Sequence, residues 1–112
     1  MSIRKLTMAV LLSAILVLPA SAAPPMTGNQ LLDYCTSEEA VERTYCMGYI
    51  MGYAEGAGGW GRAWCVPDGV TNGQVMEVVI RQLKTNPRDR HAGASLTVHR
   101  ALRDAWPCEK LP

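Results

Sequence analysis

Thr71-Asn72-Gly73-Gln74-Val75-Met76-Glu77-Val78-Val79-Ile80-Arg81-Gln82-Leu83-Lys84-Thr85-Asn86-Pro87 reads as one helix from its cap to its stop. Thr71 and Gln74 have the spacing of a capping box, in which each side chain satisfies a backbone amide at the helix start. Val75, Val79 and Leu83 recur every four residues, with Val78 beside them, and so share one buried face. Pro87 disfavours the helical conformation at Asn86 and ends the element there. Just upstream, Val66-Pro67-Asp68-Gly69 is a turn, because Pro67 fixes its φ and Gly69 accepts a positive one.

Working outward, helical signals dominate, and no alternating run bounded by turn residues marks a strand. Ala94, Val98, Ala101, Leu102 and Ala105 recur at helical spacing and stop at Trp106-Pro107. Upstream, a short helix is expected over Gly28–Thr36, with Leu31, Leu32 and Cys35 on one side. A second is expected from about Glu38 to about Ala57, with Ser37 as its cap and Glu38 and Glu39 at its positive end. Gly58-Gly59-Trp60-Gly61-Arg62 cannot continue that helix and must be a loop. The expected fold is all-α, a small bundle of about four helices over residues 28–112.

The chain opens like an export signal. Arg4 and Lys5 precede a run from Leu6 to Leu18 that is apolar except for Thr7 and Ser13, and Ala20-Ser21-Ala22 supplies small residues for cleavage. Cutting after Ala22 avoids placing Pro24 directly beyond the scissile bond. An uncleaved anchor is disfavoured, since a span needs about 20 apolar residues. With residues 1–22 taken as a signal peptide, Ala23–Thr27 reads as a disordered leader holding two prolines, and 90 of the 112 residues remain, enough for one domain. Loss of Arg4 and Lys5 leaves nine basic residues against ten acidic ones, so nothing favours nucleic acid or an anionic membrane as partner.

All four cysteines, Cys35, Cys46, Cys65 and Cys108, fall in the mature part. In a small exported domain an even count reads as two disulfides. Intervening stretches of 10, 18 and 42 residues, with no CxxC pair, argue against zinc, and no CxxCH is present for haem. Three connectivities are possible. We favour Cys35–Cys46 with Cys65–Cys108, whose loops would contribute roughly 3 and 4 kcal/mol in the chain-entropy view. One geometric tension accompanies that choice. A helix starting at Glu38 would carry Cys46 about 12 Å up its axis, beyond the reach of Cys35 across a tight turn. Either Thr36–Val41 folds back as a loop, or the pairing is wrong.

Few residues suggest chemistry. His91 and His99 are the two histidines, and neither is accompanied by a free cysteine or by a serine in a strand–turn–helix elbow. No acid–base or nucleophile set assembles, so an enzyme, a cofactor and a metal site are not expected. The glycine-rich loop lacks the phosphate-cradle pattern. Tyr45, Tyr49 and Tyr53 form a stripe along the second helix, and Gly48, Gly52 and Gly56 form another. Glycines four apart admit close approach of a neighbour. Ordinary core contact within the chain is the favoured reading, and a homodimer contact the next. Trp64, beside Cys65, is expected to fold inward. Trp60 and Arg62 on the loop, and Arg88, Asp89 and Arg90 in the charged turn, are candidate partner-binding residues, because exposed Trp and Arg anchor protein contacts and loops carry them.

Several segments together resemble a known family. They are Gly28-Asn29-x-Leu31-Leu32-x-x-Cys35, Cys46-x-Gly48-Tyr49-Ile50-x-Gly52 and Cys65-Val66-Pro67-Asp68-Gly69-Val70-Thr71 with Gln74-Val75 and Val78-Val79. Asn86-Pro87-x-x-Arg90-His91, Ala94-Ser95-Leu96, Ala101-Leu102 and Trp106-Pro107-Cys108 complete the pattern. The combination, covering nearly the whole mature chain, is similar to the Rap/Tai family of type VI secretion immunity proteins. That resemblance implies a small, helical, periplasmic and commonly dimeric protein. It also implies binding to a peptidoglycan amidase effector, a papain-like enzyme with a cysteine nucleophile and a histidine base, whose cleft the immunity protein plugs without catalysing anything. Contact surfaces in such proteins vary with the partner, so no contact residue carries over by motif, and Gly58–Arg62 has no counterpart in the pattern. The competing expectation is a periplasmic chaperone-like or orphan protein-binding module without a cognate amidase.

Overall fold

The structure is a computed structural model that describes residue 19 and residues 21–108. The expected export signal and the last residues of the chain lie outside that range, apart from Pro19, Ser21 and Ala22. Four α-helices follow in order: α1 Gly28–Thr36, α2 Ala40–Gly56, α3 Asn72–Thr85 and α4 Ala94–Ala105, with a single 3₁₀ turn, Pro87–Asp89, between the last two. No strand is present among the described residues. The all-α reading therefore holds.

Two helices start with the same device. Thr71 and Gln74 form a complete capping box on α3, and Thr27 and Gln30 form another on α1. Met26 and Thr27, placed by sequence in the leader, are tied to the far end of the chain. The Ala94 amide donates to the Met26 carbonyl at 2.8 Å, and the Gly28 amide to that of Ala92 at 2.9 Å. Asn86 closes α3 through its side-chain amide on the Gln82 carbonyl at 3.1 Å.

The start of α2 relieves the tension over the disulfide. Ser37 does not cap it. Its hydroxyl instead accepts from the Glu39 amide at 3.0 Å, and Arg43 clamps the carbonyls of Ser37 and Glu38 at 2.8 and 2.6 Å. Ser37 and Glu39 have extended backbones, with ψ of 147° and 122°. The chain bends at Glu38 between these two extended residues, and the helix does not begin until Ala40. The chain thus folds back before the helix begins, and Cys35 and Cys46 bond with their Cα atoms 5.1 Å apart. Cys65 and Cys108 form the second bridge, so both expected pairings are present.

The core is one cluster drawn from every helix. Leu31 and Cys35 come from α1, Cys46, Ile50 and Ala54 from α2, Val75, Val79 and Leu83 from α3, and Ala94, Val98, Ala101 and Leu102 from α4, with Trp64 inserted from the α2–α3 connection. The spacing by four on α3 and the α4 pattern up to Leu102 mark the buried faces, whereas Ala105 is exposed. Gly28 lets α1 sit against the turn after α3, since a Cβ there would lie 3.0 Å from the Arg90 carbonyl oxygen.

The glycine stripe of α2 departs from the favoured reading. A Cβ at Gly48, Gly52 or Gly56 would meet nothing within 4 Å, so among the described residues no element occupies the space. Val41, Tyr45 and Met47 are exposed on the same helix. α2 is apolar on its inner side, where Cys46, Ile50 and Ala54 are buried, and also over much of its outer side.

Candidate functional site

The connection from α2 to α3 carries two of the candidate binding residues, Trp60 and Arg62. α2 runs directly into it, the Ala57 amide donating to the Tyr53 carbonyl at 2.9 Å. Gly58 and Gly61 then take φ of +68° and +74°, which only glycine adopts without strain. Their turns wrap three amides around one acceptor. The Gly59 carbonyl receives the amides of Arg62, Ala63 and Trp64 at 3.0, 2.7 and 3.1 Å, and the Gly61 amide reaches the Trp64 carbonyl at 2.8 Å. All four bonds are internal to the loop.

Trp64 holds this small loop on the bundle. It is fully buried, as its place beside Cys65 led us to expect. Its indole lies flat beneath Gly59, where a side chain would collide with the ring. It meets the His99 imidazole edge-on at a centroid distance of 5.2 Å, and the Tyr53 ring at 6.2 Å. Tyr53 Oη and His99 Nδ1 stand 3.4 Å apart, a long contact that joins α2 to α4. The indole Nε1 is buried without a hydrogen-bond partner. Immediately after it, the Cys65 amide donates to the Trp106 carbonyl at 2.8 Å, and the Cys65–Cys108 bridge fixes the same point.

The result is a tight, internally bonded loop. Trp60 retains half of its accessible surface, and Arg62 is exposed beside it. Among the described residues Arg62 has no ion-pair partner. An exposed indole on a pre-ordered loop can enter a partner's cavity with little loss of conformational freedom on binding.

The remaining three candidates form a second, separate turn. Arg88 projects with a side chain 91% exposed, while Asp89 pairs with Arg88 at 3.6 Å and with Arg100 of α4 at 3.4 Å. Arg90 is partly a structural residue. Its carbonyl accepts the Asn29 amide at 2.9 Å, its backbone faces Gly28, and its Nε is buried. No hydrogen bond or ion pair links this turn to the Trp60 loop among the described residues. The role of Arg100 in holding Asp89 was missed by sequence reasoning, because the two lie 11 residues apart with a turn between them.

The histidines are engaged separately. His91 Nδ1 contacts the Arg88 carbonyl at 3.0 Å, and His99 packs on Trp64. No carboxylate pairs with either among the described residues, and no group of three metal-ligating side chains assembles there. A groove of about 380 Å³ between α3 and α4, lined in part by Val78, Arg81, Thr85 and Asp104, holds neither histidine nor cysteine. The ionisation of Tyr49 is displaced. Burial pushes its phenol above the ordinary tyrosine value, Tyr53 adds to this, a backbone hydrogen bond from Ser95 opposes it, and Tyr45 adds a little more.

Fold and surface together define a helical module stapled by two disulfides. The sequence profile of the Rap1a immunity proteins matches residues 27–108. The chain belongs to that family, as its cysteine contexts indicated, and membership points to an immunity function against a secreted effector. No curated protein and no solved structure matches it.

Proposed function

We propose that this chain is a periplasmic immunity protein that binds a peptidoglycan amidase effector of a type VI secretion system and occludes its active-site cleft. The observation that carries the reading is the Gly58–Trp64 loop: a tight, internally bonded projection, plugged from beneath by Trp64 and exposing Trp60 and Arg62. The family match supports the immunity role. The export signal read in residues 1–22 supports the compartment, where peptidoglycan is the substrate and disulfides persist. In this reading the protein acts by steric exclusion and needs no catalytic group of its own. Arg88 supplies charge at the rim. A second copy of the chain packs on the outer side of α2, where Val41, Tyr45 and the open glycine stripe are uncovered.

The test is protection and affinity with the amidase encoded beside this gene. Periplasmic expression of that amidase should kill cells lacking this protein and spare cells that carry it. Trp60→Ala or Arg62→Ala should weaken binding by about 30-fold, the effect of losing one anchoring residue of about 2 kcal/mol. Absence of protection, or of any complex, removes the amidase reading.

A further inference from the structure

The two disulfides differ in accessibility. Cys35 and Cys46 are buried in the core at 5% and 0% exposure, whereas Cys65 lies exposed and Cys108 half-exposed at the surface. They also differ in what they hold. Cys35–Cys46 joins two packed helices that share a core. Cys65–Cys108 closes a span of 43 residues and pins the base of the Trp60 loop, one residue after its Trp64 plug. Every backbone hydrogen bond made by residues 58–64 stays within the loop, so its fixed points are α2, the Trp64 ring, and Cys65 with its bridge and its bond to Trp106.

We infer that Cys65–Cys108 is a redox-releasable latch on the Trp60 loop, opened by a dithiol reductant while Cys35–Cys46 stays closed. Exposed disulfides are the ones a thiolate reaches, and the more labile. A reductant thiolate attacks the Cys65 sulfur, forms a mixed disulfide there, and expels Cys108 as a thiolate that takes up a proton. The second thiol of the reductant then displaces Cys65, which leaves as a thiol. Two electrons and two protons pass to the protein, and the reductant departs as a disulfide. The helices keep their shared core and their buried bridge. The loop loses the covalent tie beside Trp64, and the Cys65 amide loses its fixed partner on Trp106.

The latch is independent of what the loop binds; only its effect on immunity rests on the proposed reading. The experiment is graded reduction of the oxidised protein by dithiothreitol, with thiols trapped by alkylation and located by mass spectrometry, and with backbone amide exchange followed in parallel. Cys65 and Cys108 should be trapped at least about tenfold faster than Cys35 and Cys46. The helical circular dichroism should persist while the amides of residues 62–65 lose protection. Simultaneous opening of both bridges, earlier opening of Cys35–Cys46, or unchanged exchange at residues 62–65 overturns the latch. Cys65→Ser with Cys108→Ser should reproduce the singly reduced exchange pattern. Loss of amidase binding on selective opening ties the latch to immunity. Unchanged binding leaves the latch in place and removes the loop from the contact surface.

Discussion

Gly59→Ala isolates the packing on which the loop depends. The backbone at Gly59 needs no positive φ, so alanine is conformationally permitted, and the whole penalty comes from contact. The new Cβ would lie 2.5 and 2.6 Å from Cζ3 and Cζ2 of Trp64, and closer still to Cη2. Carbon atoms prefer about 3.5–4.0 Å, so roughly 1 Å of overlap must be relieved. The obstacle is a rigid ring, itself buried between His99 and Tyr53, and cannot simply swing away. Overpacking of this kind costs about 1–3 kcal/mol, and the ceiling is expulsion of the ring, for which core Trp truncation gives about 3–5 kcal/mol. Alanine returns about 0.4–1 kcal/mol by restricting the unfolded chain. A net loss of about 2 kcal/mol follows, near 8–16 °C in Tm for a domain of this size.

The assay is a double-mutant cycle by chemical denaturation with Trp64→Leu as the second change. Trp64→Leu removes the ring atoms that Gly59→Ala strikes, so the alanine should cost less than about 0.5 kcal/mol in that background, a coupling of at least about 1.5 kcal/mol. Gly58→Ala is the control. Its φ of +68° makes alanine strained, yet nothing lies within 4 Å, so its cost should be the same with or without the Trp64 ring. Additive losses for Gly59→Ala and Trp64→Leu would refute the claim that the loop is seated by this contact.

Gly48→Ala and Gly52→Ala should each stabilise the monomer by up to about 1 kcal/mol, because helix propensity improves and the space is empty. Sedimentation at several concentrations should show weaker self-association in the pair, and unchanged association would exclude this face as the contact between copies. Thr27→Ala should cost about 1 kcal/mol in urea titrations, as should Thr71→Ala, since each removes half of a capping box. The raised Tyr49 phenol binds its proton more tightly in the folded state. Its stabilising contribution is therefore full below the ordinary tyrosine value near 10 and lost as pH rises through the folded value. Absorbance at 295 nm should show a late-ionising tyrosine that vanishes in Tyr49→Phe, and a titration unaltered by that substitution would contradict the assignment.

The features legible in the sequence are those set by local chemistry. Pro87 stops α3 whatever surrounds it, and Val75, Val79 and Leu83 share a face because helix geometry puts them there. Thr27-x-x-Gln30 was equally legible, having the same pattern as Thr71-x-x-Gln74, but the neighbouring prolines drew it into the leader. Contacts between distant segments left no such mark. The close seat of Gly28 on Arg90, and the pairing of Asp89 with Arg100, depend on how the α3–α4 turn meets α1. The fold-back of Ser37–Glu39 was required by the Cys35–Cys46 pairing, yet the Arg43 clamp that maintains it spans five and six residues outside any regular spacing.

The α2 helix shows why one class of error was unavoidable. Periodicity identifies a buried side by contrast with a polar one, and α2 offers little contrast, since Ile50 and Ala54 lie opposite exposed Val41, Tyr45 and open glycines. Two apolar sides fit a helix at the centre of a bundle, and they fit equally a helix with one side in the core and the other left for a partner. Glycine cannot decide between them, because it packs closely against a neighbour or stands open with the same local geometry. Tyrosine decides it in part. Tyr53 lies on Trp64 and Tyr45 on Tyr34, so both ends of the tyrosine stripe have an aromatic neighbour while the glycines beside it meet none of the described elements. Because the end of α2 passes directly into the Trp60 loop, a partner seated on those glycines would also fix where the loop points. The outer side of α2 and the loop are thus joined by one continuous stretch of chain, an adjacency that only the three-dimensional arrangement displays.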